Sequence, residues 1–210
     1  MSLQYFIVNA FTDSPFGGNP AAVVFVENSL DPDIMQKIST NFNQPMTAFL
    51  RLRTNSISES AGTSLVYDVR WFTSTAEAPI CGHATLASAG LLFAEPDLLP
   101  ETVTSISFCG RSGVNLVARK EGEWISMSLS STAVIPLPED LADRAKAVIR
   151  KAVEEDVPVK FVGMGGTGFA QYLLAEIDPS VDLAALQVNP NELVSPERSE
   201  LVIQSLIRPL

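Results

Sequence analysis

The segment Glu77-Ala78-Pro79-Ile80-Cys81-Gly82-His83-Ala84-Thr85 runs directly into Leu86-Ala87-Ser88-Ala89-Gly90-Leu91-Leu92-Phe93. A polar, glycine-punctuated turn therefore opens into a helix made of small and apolar residues. The turn holds the only histidine of the chain, one of its two cysteines and a carboxylate. This layout puts backbone N–H groups and the positive end of a helix dipole where an anionic group can sit. It also delivers a titratable imidazole to the same place. Such a junction can hold a carboxylate and move a proton.

Composition removes several alternatives. With 210 residues, 46% hydrophobic and 18% charged, the chain can bury a core, and wholesale disorder is not expected. A net charge of −10 argues against a nucleic-acid or anionic-membrane partner, because phosphate binding needs a positive surface. Cys81 and Cys109 form no disulfide framework and share no metal-type spacing with each other or with His83. The N-terminus has no basic, apolar leader, and no apolar run reaches membrane-spanning length. The expectation is a reduced, soluble, cytoplasmic protein with no metal.

The pattern reads as strands and helices in mixed order. Strands are expected over Gln4–Ala10, Ala21–Glu27, Met46–Arg53 and Leu65–Thr73, with Thr54–Ser64 as a hairpin-like loop. Asp31 and Pro32 predict a capped helix start, with Ile34 and Ile38 facing the core. After the helix over Thr85–Phe93, strands follow at Thr102–Phe108, Val114–Lys120 and Glu123–Ser130. Ile135-Pro136-Leu137-Pro138 reads as a linker. Beyond it come a helix over Leu141–Val153, strands over Val157–Gly163 and Phe169–Ile177, a short helix from Asp182 to Leu186, and a helical end over Pro196–Leu210.

Three segments are chemically suggestive. In Cys81-Gly82-His83, the imidazole is a candidate acid or base, since its reference pKa lies near neutrality. Cys81 would be a base only as a thiolate, and small core filler is its commoner role. Asp13-Ser14-Pro15-Phe16-Gly17-Gly18-Asn19-Pro20 can aim amides or the Asn19 side chain at a ligand, though a tight connection between strands explains it equally. Gly163-Met164-Gly165-Gly166-Thr167-Gly168 superficially looks like a nucleotide loop. It lacks a Lys-Ser/Thr pair and opens into a strand, so no nucleotide cofactor is expected there.

Taken in order, these pieces resemble the phenazine-biosynthesis PhzF-like isomerase family, whose fold is shared with diaminopimelate epimerase and proline racemase. The matching segments are Val8–Val24 (V-N-A-F-T-D-S-P-F-G-G-N-P-A-A-V-V), Thr47–Leu50 (T-A-F-L), Arg70–Thr73 (R-W-F-T) and Glu77–Ala89 (E-A-P-I-C-G-H-A-T-L-A-S-A). The resemblance implies an α+β fold of two similar halves, each a mixed sheet wrapped around a central helix. Residues 1–128 would form the first half and residues 129–210 a partial second. Thr85–Phe93 would be the first central helix, its small residues letting strands approach closely.

The resemblance further implies a cofactor-independent proton shift on a small carboxylate-bearing metabolite, in a biosynthetic setting and in a possible homodimer. By position, Gly82 would offer its N–H to a substrate carboxylate and His83 a hydrogen bond or proton relay. Asn19 and Cys81 would help shape the binding site. Two departures stand out. The family's acid/base Glu precedes the T-x-F segment, and here that place is Met46, which has no basic site of useful pKa. The family's second turn, of the type D-P-x-T-G-S-A, is not found in the 210 residues. His83, Glu77 or Cys81 would have to substitute as base. The alternative is an impaired or inactive relative that binds a small ligand or a partner protein.

Overall fold

The computed structural model describes residues 2–14, 16–53, 64–111, 113–129, 131–153, 156–166, 172–183, 185–193 and 202–206, the last five as backbone only. The chain divides into two compact units, Met1–Ser130 and Ser131–Leu210.

In the first unit the order is β1 (Tyr5–Ala10), β2 (Asn19–Phe25), α1 (Pro32–Phe42), β3 (Thr47–Leu52), β4 (Ser64–Phe72), β5 (Glu77–Ala78), α2 (Gly82–Ala94), β6 (Ser105–Gly110), β7 (Asn115–Glu121) and β8 (Trp124–Ser128). One mixed sheet runs β1-β2-β3-β4-β6-β7-β8, with β5 paired to β4. Helix α2 packs against β1, β2 and β3 and also against β7 and β8. A single helix can touch both ends of one sheet only if the sheet curls around it.

The residues of α2 suit that position. Ala84, Thr85, Ala87, Ser88, Ala89, Leu91 and Leu92 are all buried. Mostly small side chains keep the helix thin, so strands close in on several sides. Its buried hydroxyls are satisfied internally: Thr85 Oγ1 donates to the Cys81 carbonyl at 2.7 Å and Ser88 Oγ to the Ala84 carbonyl at 2.7 Å. The inner faces of the strands complete the core with Ala21, Val23, Ala48, Leu50, Val69, Trp71, Ile106, Phe108, Leu116 and Ala118. Alternate residues face the other way, and there α1 covers Val24, Phe49 and Phe72.

Asp31 caps α1 as the sequence predicts, its side chain accepting from the Asp33 N–H at 2.8 Å. The buried face differs from expectation. Met35 and Ser39 are buried, Ile38 is partly so, and Ile34 is 43% exposed. A serine can occupy the buried stripe because its hydroxyl bonds the Met35 carbonyl at 2.9 Å.

The second unit has β9 (Val134–Pro136), α3 (Glu139–Val153), β10 (Val159–Gly165), β11 (Tyr172–Ile177), a single 3₁₀ turn (Pro190–Glu192) and β12 (Val202–Leu206). Its sheet runs β12-β11-β10-β9. Helix α3 lies on β10, burying Ala145, Ile149, Ala152 and Val153.

Three expectations for this unit fail. The proline segment is not a linker, because Val134–Pro136 pairs with β10, placing Pro136 opposite Gly163. β9 ends the sheet, and an edge strand tolerates the missing N–H of proline. The expected terminal helix contains instead β12, parallel to β11, where the β-branched Val202-Ile203 pair favours extended backbone. Where a short helix from Asp182 to Leu186 is expected, the described residues show a single turn-type bond, Ala185 N–H to the Asp182 carbonyl. Of the expected loop over Thr54–Ser64, residues 54–63 lie outside the described residues, and Ser64 is the first residue of β4.

Candidate functional site

Strand directions bring the candidate residues to one end of the first sheet. β2 and β3 are parallel, with Ala22 opposite Thr47, and β3 and β4 are antiparallel, with Thr47 opposite Phe72. The start of β2 (Asn19 and Pro20), Met46 just before β3, and the end of β4 therefore share a rim. β5 folds back on that end, with Glu77 opposite Phe72, and three residues after Ala78 the chain enters α2. Asn19, expected in a loop, is the first residue of β2 and pairs with Ala10. The loop before it needs its glycine: Gly18 has φ +77°, and a side chain there would collide with the Ala10 carbonyl.

The helix begins three residues earlier than the small-residue run suggests, so His83 sits in its first turn. Cys81 is the N-cap, with extended backbone (φ −147°, ψ 111°). That conformation turns its side chain back onto the imidazole, leaving Cys81 Sγ 3.2 Å from His83 Nδ1. His83 Nε2 is shielded from solvent and has no hydrogen-bond partner. Desolvation, the larger effect, lowers the His83 pKa from its ordinary value, and the nearby Pro20 carbonyl opposes it. The ring is therefore neutral at neutral pH. Burial likewise pushes the Cys81 thiol up, against a smaller pull from the amides of His83 and Ala84. Cys81 is a thiol, not a thiolate base.

Gly82 is not demanded by the backbone. A Cβ there would meet only Met127 Cε, at an ordinary 3.9 Å. Met46 is 8% exposed and belongs to the same apolar cluster as Cys81 and Ala84.

Glu77 does something different from the role considered for it. Both its oxygens are held by Arg70, with Nε and Nη2 donating at 2.7 Å each, and Arg111 stands 3.8 Å away. Arg70, Glu77 and Arg111 line a cavity of about 410 Å³ with Val69, Trp71, Ala78 and Pro79. Both oxygens of this carboxylate are thus committed to the guanidinium fork. Trp71 and Thr85 were not singled out by the sequence. Trp71 Nε1 donates to Thr85 Oγ1 at 3.1 Å, while Thr85 bonds the Cys81 carbonyl, so the pair clamps the first turn of α2. Among the described residues, no group of three or more His, Cys, Asp or Glu side chains is placed to hold a metal, and no helix is long and apolar enough to cross a membrane.

Residues 8–208 match the PhzC-PhzF family, described as phenazine biosynthesis-like protein. The chain belongs to that family. Among its PhzC-PhzF relatives, the phenazine biosynthesis-like domain-containing protein of Bos taurus is 40% identical over 75% of this chain and 53% of its own length. A mouse paralogue is 34% identical over 95% of this chain and 66% of its own. An uncharacterized isomerase of Halalkalibacterium halodurans is 38% identical over 62% of this chain and 44% of its own. The chain thus spans between 44% and 66% of the length of these relatives.

In three dimensions it is similar to a PhzF-family protein of Enterococcus faecalis (TM-score 0.63, 28% identity, 92% of this chain and 64% of that one). It is also similar to a putative PhzC/PhzF protein of Clostridium difficile (TM-score 0.65, 26% identity, 91% and 64%). The α+β, epimerase-like fold implied by the sequence resemblance is the observed one.

Proposed function

We propose that this PhzC-PhzF protein is an isomerase or epimerase that catalyses a cofactor-independent proton shift on a small carboxylate-bearing metabolite. It would act in a biosynthetic reaction in the cytoplasm, as a homodimer, without nucleic-acid or membrane partners. The observation that carries this reading is the unpartnered His83 Nε2 in the first turn of α2, a turn with no acidic residue and no side-chain cap. A substrate carboxylate placed there accepts from the first N–H groups of α2 and lies at the positive end of its dipole. Neutral His83 adds one further hydrogen bond. With its negative charge held, a carbon next to the carboxylate gives up a proton more readily, and a proton that has exchanged with solvent is returned to another carbon or to the opposite face. Nothing is oxidised or reduced.

The base for that step is the weak point of this chain. Met46, where the family resemblance puts a carboxylate, cannot accept a proton from carbon. Glu77 is engaged by Arg70, and Cys81 is a buried thiol. Lacking a positioned base costs about two to four orders of magnitude in rate. Met46 is therefore the observation that favours the second reading, a relative that binds the carboxylate without turnover.

Solvent-deuterium exchange into candidate carboxylates separates the two. Exchange by the unmodified chain, lost in His83→Ala, supports the isomerase, and Met46→Glu should raise the rate. Binding without exchange in every variant would leave the ligand-binding reading standing. If Met46→Glu does not fold, the comparison of the unmodified chain with His83→Ala still decides.

A further inference from the structure

The contact between Cys81 and His83 determines more than the shape of the turn. A neutral imidazole carries its proton on one nitrogen, and the partner of the other nitrogen selects which. Here Nδ1 faces a thiol at 3.2 Å, while Nε2 is shielded and without a hydrogen-bond partner. The sulfur is 7% exposed as a residue and faces the amides of His83 and Ala84, which can only donate. The sulfur makes no cap hydrogen bond to those amides, so Nδ1 is the acceptor within reach of its S–H. The other polar group beside the ring is the Pro20 carbonyl, which can only accept and so favours an N–H on the imidazole.

We propose that Cys81 is a positioning residue: its S–H donates to His83 Nδ1 and holds the ring proton on Nε2, so that His83 meets the ligand as a hydrogen-bond donor. This deepens the functional reading above and rests on it. An Nε2–H has no lone pair to offer a carbon-bound proton, so His83 holds a carboxylate oxygen rather than starting the reaction as its base. The N-cap position is what makes this possible, because extended backbone at Cys81 brings a side chain two residues away onto the ring.

The chain has a single histidine, so its ring nitrogens give unambiguous 15N signals. The test is a ring 15N–1H correlation on the ligand-free 210-residue protein at about pH 8, above the ordinary imidazole pKa of about 6.5. The expected spectrum has the proton on Nε2 and an Nδ1 signal displaced by accepting a hydrogen bond. In Cys81→Ala, Nδ1 should move to the position of a free acceptor nitrogen, with some proton population appearing on it. Cys81→Ser, which keeps a donor, should restore the original pattern.

A proton on Nδ1 in the unmodified protein would overturn the proposal, as would an Nδ1 signal unmoved in Cys81→Ala. If the alanine variant does not fold, the unmodified and serine proteins still decide which nitrogen is protonated. The measurement needs no substrate. Its failure is therefore distinct from a failure of the exchange experiment, which tests turnover.

Discussion

Helices α2 and α3 each pack on the sheet of their own unit, but they are built on opposite plans. α3 carries Glu139 and Asp140 in its first turn and Arg150 and Lys151 in its last, so its own side chains complement its dipole. Four of its fifteen residues are buried, along one stripe. α2 has no acidic residue in its first turn, no basic residue in its last, and no side-chain hydrogen bond from its cap. Seven of its thirteen residues are buried. The difference teaches that α3 is a self-sufficient covering helix, whereas α2 is a buried strut whose positive end is left for something else to neutralise. A carboxylate ligand at Gly82 and His83 would do what Glu139 and Asp140 do for α3.

Substitutions can break this contrast, beginning with packing. Ala84 is fully buried in α2, so Ala84→Leu should overpack the curled sheet and cost about 3 kcal/mol. The matching change on the exposed face of α3, Arg144→Leu, should alter stability by less than about 0.5 kcal/mol. Urea titration of both variants measures the difference. Thr85→Val should cost about 2 kcal/mol in the same assay. It leaves the indole N–H of the buried Trp71 without its acceptor and releases the clamp on the Cys81 carbonyl.

Smaller effects sharpen the electrostatic side. Neutralising α3 with Glu139→Gln and Asp140→Asn should cost about 0.5 kcal/mol each at low salt, and less as salt is added. Gly82→Ala should be stability-neutral or slightly stabilising, since its Cβ fits and alanine favours helix. It should nevertheless weaken carboxylate binding, by crowding the amides.

The pH dependence has a definite sign. The folded pKa of His83 is lowered, so in the window just below about 6.5 the unfolded chain binds the extra proton. Stability from this group is complete above that value and is lost as pH falls through the folded pKa. His83→Gln should flatten the stability profile there. The lowered carboxylates Asp68 and Asp178, the latter at about 2, act only at lower pH.

Much of this was legible from local chemistry. Asp31-Pro32 announces the cap of α1, alternating apolar residues announce the sheet, and the glycine-punctuated turn before a small-residue helix marks the rim where His83 lies. What failed depended on partners that the local pattern does not reveal. Pro136 reads as a linker until β10 is beside it, and Ile34 reads as core until the Ser39 hydroxyl proves able to satisfy itself within the helix. Glu77 looked like a spare base because nothing local shows that β5 returns along β4 and carries it to Arg70. The Cys81–His83 contact is local, two positions apart, yet it forms only through the extended backbone of the cap, which the sequence does not announce.

The central claim is that the open end of α2 holds a carboxylate. It is tested most directly by titrating acetate into the 15N-labelled protein while following backbone amides, with ethylammonium as the cationic control. The account predicts saturable shifts centred on Gly82, His83 and Ala84 that weaken in His83→Ala and do not occur with the cation. Shifts of equal size at the acid-capped start of α3, or none at the start of α2, would contradict it.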